Sequence, residues 1–433
     1  MEKKLRPIIL FFGDITLAFF SLVLTVILGF WTDFNWQIFF QHLLPFSILY
    51  FFWFIFFYIF GLYDLNLIKP GLELLSKIGQ CFLICLIVGI TFFYLIPFFG
   101  ITPKTNLLLN IIILAVFVLL WRKFFYHLFS FYYLQNVVFL NENSLTKLLI
   151  EKIKSNPQLG YKFVGFLDTT KPFSPQLKNK KIDKLILIQN SHFNKKISQE
   201  LYKCLVLKID FIDVFRAYET IFYEIPIDFL NQMWFLENLK GNEKKIYDKI
   251  KFFFDVILAF FLSIILLPIS LIIAILIKLS PRKGPVILKQ ERIGINNKIF
   301  TLYKFGTMRT DKGELWTTQN DKRLTFVGKI LRNSHLDEIP QLYNILKGDI
   351  SFIGPRAERK ELVSIYSQLP YYELRHIIKP GLTGWAQINY KPSASIKEAR
   401  EKFCYDLYYI KNRSFFLDLG IFFKTFQYFF KQN

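Results

Sequence analysis

Cysteine and histidine are scarce in this 433-residue chain, and acidic residues are few beside basic ones. The four cysteines, Cys81, Cys85, Cys204 and Cys404, form no C-x-x-C pair, and the five histidines do not cluster with them at ligand spacing. That argues against a disulfide framework and a structural zinc site, and leaves the cysteines as small buried hydrophobes. Asp and Glu total 33 against 54 Lys and Arg, a formal charge of +21, which favours anionic partners such as nucleic acid, acidic headgroups or phosphorylated small molecules. What is abundant is apolar: 53% hydrophobic and 19% aromatic residues, 52 of them Phe. A soluble domain is about 45–50% apolar. Charged residues still reach 20%, too many for membrane helices alone. The composition describes a membrane protein with substantial soluble parts.

Four apolar runs open the chain, at Ile8–Phe30, Ile38–Phe60, Ile78–Phe99 and Leu107–Phe125. Each is near the roughly 20 residues a spanning helix needs. The first is too long for a signal-peptide core and lacks a small-residue cleavage site, so it reads as retained. Lys3, Lys4 and Arg6 before it and Arg122-Lys123 at the end of the fourth run set an even number of crossings with both ends cytoplasmic. Trp31, Trp36 and Trp121 sit at run ends, where interfacial aromatics are expected.

From residue 134 to 240, short strands alternate with helix-like stretches: Val137–Leu140, Phe163–Leu167, Lys184–Ile188 and Val206–Ile212 read as strands, Ser144–Lys154 as a helix. The alternation predicts a small parallel-sheet domain of Rossmann type. A dinucleotide site needs glycine after the first strand, but that turn reads Leu140-Asn141-Glu142-Asn143-Ser144. No nucleotide is expected there, and the domain reads as a regulatory or interaction module.

Phe252–Ile277 is apolar yet basic on both flanks, with Lys244, Lys245, Lys249 and Lys251 before it and Lys278, Arg282 and Lys283 after it. Positive charge wants both ends on one face of the membrane, and Pro268 breaks the helical hydrogen-bond ladder near the middle. The segment is expected to dip in and return rather than cross. After Ser280 the chain carries +12 of the +21 and is punctuated by Gly284-Pro285, Gly348, Gly354-Pro355, Pro380-Gly381 and Gly384, which predicts short helices joined by defined turns rather than a regular sheet. Phe415–Phe430 is aromatic on most sides and suits the membrane interface.

The densest chemistry is Leu331-Arg332-Asn333-Ser334-His335-Leu336-Asp337-Glu338-Ile339-Pro340-Gln341-Leu342. Ser334 and Asp337 have capping-box spacing, and Pro340 suits a first helical turn. Adjacent acids near a helix start commonly do no more than face the helix dipole. Here Arg332 precedes the pair and Gly354-Pro355-Arg356 follows it, so an ionised carboxylate can meet a phosphorus centre whose charge the arginines neutralise. Those are the parts of phosphoryl transfer: a nucleophile, a cationic clamp and a divalent metal on hard oxygens.

Leu331–Arg356 resembles the bacterial sugar transferases, the polyprenyl-phosphate hexose-1-phosphate transferases or monotopic phosphoglycosyl transferases. Matching segments follow in order: Lys278–Gly294, Tyr303-Lys304-Phe305, Lys379–Asn389 and Tyr405-Asp406-Leu407-Tyr408-Tyr409. The resemblance covers about Lys251 to the C-terminus, and the N-terminal helices with a glycine-poor Rossmann-like domain look like the long form. Pro355–Arg359 and Tyr218–Trp234 resemble exopolysaccharide-associated members. The resemblance implies a membrane protein of α plus α/β class, with four transmembrane helices in 1–130, a Rossmann-like cytoplasmic domain in 134–240, and a catalytic domain in 244–433 whose re-entrant helix is 252–277 broken at Pro268. It implies attack by Asp337 on the β-phosphate of a UDP-sugar, expulsion of UMP, and transfer of the sugar phosphate to undecaprenyl phosphate, the first membrane step of exopolysaccharide, capsule or O-antigen synthesis. Glu338 is the implied partner, for metal placement or acceptor deprotonation. Lys304, Arg332 and Arg356 are the implied phosphate-binding residues, and Mg²⁺ on Asp337 is the implied ion. The implied partners are UDP-sugar, undecaprenyl phosphate and membrane lipid, without nucleic acid, and a homodimer is left open. The implied location is the bacterial inner membrane, multi-pass, with the site on the cytoplasmic face.

Two positions depart from the pattern. Leu267-Pro268 stands where the family has Ser-Pro, leaving Ser263 or Ser270 to bond the freed carbonyl, and Lys304-Phe305-Gly306-Thr307-Met308 lacks the family's arginine. The competing readings are a membrane-anchored nucleotide-sugar dehydratase or epimerase, for which Tyr343–Lys347 supplies a Tyr-x-x-x-Lys, and a catalytically decayed scaffold.

Overall fold

The structure is a computed structural model that describes residues 2–31, 34–65, 69–95, 104–187, 195–239, 244–280, 284–309, 324–390 and 395–431. The chain forms two compact units, Met1–Ala217 and Tyr218–Asn433.

The first unit begins with four helices, α1 (Glu2–Gly29), α2 (Trp36–Ile59), α3 (Leu72–Leu95) and α4 (Lys104–His127), each long and apolar enough to cross a membrane. Phe99, at the end of the third apolar run, lies outside the described residues. A polar seam runs through the bundle. Arg122 of α4 holds Asp14 of α1 through two bonds of 2.9 and 2.7 Å, with both side chains fully buried. Asn110 donates to Ser21 Oγ and Thr25 Oγ1 and accepts from Tyr50, each at 3.1 Å. Such contacts bind helices together where apolar packing gains nothing over lipid. Trp31 and Trp36 are exposed, as interfacial residues would be, but Trp121 is not a free end: its indole donates to Leu10 O at 3.3 Å inside the bundle.

The same unit continues as an α/β domain with four strands, β1 (Gln135–Phe139), β2 (Tyr161–Phe166), β3 (Lys184–Leu187) and β4 (Asp210–Asp213), all parallel in the order β2-β1-β3-β4. Helices α5 (Ser144–Ser155), α6 (Phe173–Asn179) and α7 (Lys195–Cys204) connect them, and α8 (Val214–Phe222) follows, beginning in the first unit and ending in the second. Ile188 lies outside the described residues. The expected strand Val206–Ile212 starts late, because Leu205–Leu207 is a 3-10 turn and Lys208 takes φ +54°. At the turn after β1, Asn143 caps α5 reciprocally with Thr146, at 2.7 and 2.8 Å, so the cap itself occupies that helix N-terminus.

In the second unit, residues 218–239, read from sequence with the α/β domain, pack on the C-terminal elements. Trp385 Nε1 donates to Tyr223 O at 2.9 Å, and Glu219 takes Lys411 at 2.7 Å. After α9 (Gln232–Asn238), helices α10 (Lys245–Ile265) and α11 (Leu267–Leu279) meet at a 61° bend. Pro268 therefore lies in the first turn of the second helix, where its missing N–H is least costly, rather than inside one long helix. Ser270 Oγ donates to Leu266 O at the bend (2.8 Å), while Ser263 Oγ serves Ala259 O one turn earlier (2.7 Å). Arg282 and Lys283 lie outside the described residues.

An antiparallel hairpin of two seven-residue strands, β5 (Ile287–Ile293) and β6 (Ile299–Phe305), then runs in register from Ile287↔Phe305 to Ile293↔Ile299. The glycine and proline count had pointed away from such a sheet; both strands are half-polar and hide their alternation. Six further helices follow among the described residues: α12 (Phe326–Asn333), α13 (Gln341–Lys347), α14 (Lys360–Tyr366), α15 (Trp385–Asn389), α16 (Ile396–Asn412) and α17 (Phe415–Lys431). Short parallel strands β7 (Ser351–Ile353) and β8 (Gly381–Thr383) pair between them. A Cβ on Gly381 would lie 2.0 Å from Gly354 N, so only glycine permits that crossing.

Candidate active site

Hairpin alternation puts Arg292, Leu302 and Lys304 on one face, since Arg292 pairs with Phe300 and side chains repeat every second residue. Buried Asn344 of α13 clips the hairpin edge: it accepts from Tyr303 N at 3.1 Å and donates to Thr301 O at 2.7 Å. Lys304 thereby faces the turn between α12 and α13. That turn departs from the expected capping box. Ser334 closes α12, its hydroxyl donating back to Ile330 O at 2.8 Å, and His335 takes φ +54° to reverse the chain. Asp337 and Glu338 then fall in the 3-10 turn Leu336–Glu338, ahead of Pro340 and α13. Leu336 and Ile339 anchor that turn on the cluster formed by Ile273 and Ile277 of α11 with Phe305 and Leu331.

Lys304 forms an ion pair with Glu338, and Arg356 Nη2 lies 3.8 Å from the same carboxylate. Arg332 points its Nε to Thr307 Oγ1 at 2.9 Å, one turn from Gly328, where a Cβ would meet Thr307 O at 1.9 Å. A small cavity is lined by Lys304, Glu338 and Arg356 together with Arg292, Gln341 and Leu382; Arg332 and Asp337 stand outside its lining. Sequence reasoning missed Arg292 and Gln341, although both sit inside motifs it quoted.

The two adjacent carboxyls are driven apart. Burial raises Asp337 from its ordinary value, only partly countered by Lys304. Burial would raise Glu338 as well, but Lys304 and Arg356 overcome it and hold Glu338 at about 2. Such divergence sorts paired carboxyls into separate roles. Lys304 itself is lowered by burial. Behind the site, buried Arg375 bonds Asp406 (3.0 and 2.8 Å), Tyr372 Oη (2.9 Å) and Arg356 O (3.1 Å), fixing the backbone that carries Arg356. Glu358 takes Lys402 at 2.9 Å and lies 3.7 Å from Arg375.

Among the described residues, no group of three or more His, Cys, Asp or Glu side chains could hold a metal ion. Mg²⁺ asks for less, one or two carboxylates with substrate phosphates. Glu338 is tied to Lys304, so Asp337 is the carboxylate that fits such an ion.

A family model described as bacterial sugar transferase matches residues 246–432. The chain is 38% identical over 232 residues to the UDP-N-acetylgalactosamine-undecaprenyl-phosphate N-acetylgalactosaminephosphotransferase of Aeromonas hydrophila, covering 52% of this chain and 53% of that protein. It is 41% identical over 183 residues to the exopolysaccharide production protein PSS of Rhizobium leguminosarum bv. phaseoli, covering 40% of this chain and 90% of that protein. Against the UDP-glucose:undecaprenyl-phosphate glucose-1-phosphate transferase of Escherichia coli (strain K12), identity is 41% over 177 residues, 40% of this chain and 38% of that protein. The match thus spans about half of the Aeromonas relative and less of the Escherichia one.

Proposed function

Because the chain belongs to the bacterial sugar transferase family, we propose that it moves a sugar 1-phosphate from a UDP-sugar to undecaprenyl phosphate and releases UMP. The product would begin exopolysaccharide, capsule or O-antigen assembly. The observation that carries this reading is the Asp337–Glu338 pair, one carboxyl raised and the other held at about 2 beneath Lys304 and Arg356.

A raised carboxyl is the more basic and better nucleophile of the two. Asp337 attacks the β-phosphorus. The bond from that phosphorus to the oxygen bridging the α-phosphate breaks, and its electron pair leaves with UMP. A phosphate oxygen of undecaprenyl phosphate then attacks the same phosphorus, the acyl-phosphate bond breaks, and Asp337 regains its carboxylate. Glu338, at about 2, is too weak a base to deprotonate an acceptor, so it serves to aim Lys304 and Arg356 at the phosphates. Mg²⁺, when bound, would be held by Asp337 with the nucleotide phosphates and would neutralise pyrophosphate charge. UMP release that requires both a UDP-sugar and a polyprenyl phosphate is the test; NAD-dependent conversion of the sugar instead would establish the dehydratase reading.

We read α10 and α11 as the re-entrant element. Val256–Ile277 carries no charge, and most of its large side chains are exposed. Both arms nevertheless rest on one body: Ala259 packs on Leu302, Leu342, Ile345 and Ile350, and Ile273 and Ile277 on Phe305 and Leu331. A span would drag that polar body through hydrocarbon, at several kcal/mol per unsatisfied group. Below the apolar stretch, Arg413 grips Asp248 through two 2.9 Å bonds and Lys251 meets Asp418 at 2.7 Å. The site then lies at the cytoplasmic face of the inner membrane, where UDP-sugars are. In a Cys-free background, cysteines at exposed Glu237 and Asn296 should both be labelled from the cytoplasm; labelling from opposite sides would make α10–α11 a span. The parallel-sheet domain we read as Rossmann-like, with an interaction role rather than a nucleotide, because Asn143 opens α5 where glycine would be needed.

A further inference from the structure

Two buried donors at the cavity have no acceptor among the described residues. Arg292 is 7% exposed and Gln341 4%, and both line the cavity. Arg292 Nε and Gln341 Nε2 have no hydrogen-bond partner among the described residues. The rest of the guanidinium is fixed, Nη1 donating to Ala357 O at 3.1 Å and Nη2 to Gln290 Oε1 at 2.8 Å. A buried donor left idle is costly, and native interiors seldom leave two together. Charge points the same way. The cavity lining holds the cations Arg292, Lys304 and Arg356 against the single carboxylate of Glu338. Burial, with Arg356 adding to it, pushes Arg292 down to about 10. A bridging water would satisfy the donors but not the surplus positive charge, whereas an anion satisfies both.

We propose that Arg292 and Gln341 are phosphate-binding residues that seat a phosphate oxygen behind the Lys304–Glu338 pair. The seat deepens the transferase reading and rests on it for the source of the phosphate, which is either the nucleotide donor or the polyprenyl acceptor. From the nucleotide, Arg292 and Gln341 would receive charge as the bond to the leaving phosphate breaks. From the acceptor, they would hold the attacking group in line.

The test is binding rather than turnover, in the full chain carrying Asp337→Asn and embedded in nanodiscs. Inorganic phosphate, UMP and a short-chain polyprenyl phosphate are titrated in turn and followed by phosphorus NMR. Gln341→Leu, which removes the donor at similar volume, and Arg292→Lys, which keeps charge but loses Nε, should each weaken phosphate binding about 10-fold or more. A matching loss for UMP alone assigns the seat to the donor; a loss for the polyprenyl phosphate alone assigns it to the acceptor. Unchanged binding of all three probes by the folded variants overturns the proposal, as does a parent that binds none of them. If Arg292→Lys fails to fold, Gln341→Leu decides. Phosphate binding that depends on Gln341, with no affinity for UMP or the lipid, would keep the seat and sink the transferase reading alone.

Discussion

Asp337→Asn should release no UMP, with a loss of at least about 10³-fold, and should yield no phospho-sugar adduct by mass spectrometry. It should do so without unfolding. Burial raises the Asp337 carboxyl above its ordinary value, so at neutral pH its ionised form is less favoured in the folded chain than in the unfolded one. An amide removes that penalty, and the melting temperature should stay level or rise. Glu338→Gln should behave oppositely. Lys304 and Arg356 would lose the carboxylate between them, and stability should fall along with activity. Parent-level turnover by Asp337→Asn would end the nucleophile assignment, and a sharp drop in its melting temperature would make the residue structural.

The second large effect is expected away from the nucleophile. Arg375→Leu leaves Asp406, 1% exposed, and Glu358, 7% exposed, without their shared guanidinium, and also frees the carbonyl of Arg356. Breaking one partner of a buried ionic group costs about 3–5 kcal/mol. Unfolding followed by circular dichroism should show that loss at neutral pH. The dependence on acid has a definite sign. Burial would raise Glu358, but Lys402 and Arg375 hold it at about 2, below its unfolded value near 4.5. Its contribution is therefore present above about 4.5 and fades as pH falls towards 2. The gap between parent and variant should narrow over that window. A gap independent of pH would mean that lost packing, not charge, sets the cost.

Patterns that repeat along the chain were legible in the sequence, and contacts that join distant segments were not. Each of the four apolar runs fell on one of the helices α1 to α4, with starts at Ile8 and Ile78 that are late against Glu2 and Leu72, since a 20-residue apolar stretch has few other fates. The break near Pro268 was visible, though the proline opens the second helix rather than interrupting one. Asp337 and Glu338 were singled out by their neighbours Arg332 and Arg356, yet only folding shows that Lys304, more than thirty positions earlier, takes Glu338. Ser334 misled because S-x-x-D spacing says nothing about which helix it serves; it ends α12 instead of starting α13. Arg375 with Asp406, and Lys402 with Glu358, pair across long stretches of chain with no periodicity to betray them.

The turn bearing Asp337 and Glu338 packs, through Leu336 and Ile339, on the apolar cluster that Ile273 and Ile277 of α11 form with Phe305 and Leu331. If the arms are re-entrant, the buried side chains of α11 tie the turn to the same helix whose exposed Leu271, Ile272, Ile275 and Leu276 would face lipid. Its height above the hydrocarbon would then be set by that helix. For an acceptor confined to one leaflet, the encounter is two-dimensional. The concentration the site meets is the acceptor's mole fraction among membrane lipids, not its amount per volume of solution. On the proposed reading, diluting the bilayer with inert lipid should lower turnover even when the total quantity of acceptor is unchanged. On the same reading, a UDP-sugar arriving from bulk water would obey the ordinary three-dimensional rule, and the two substrates would be counted in different units at one carboxylate.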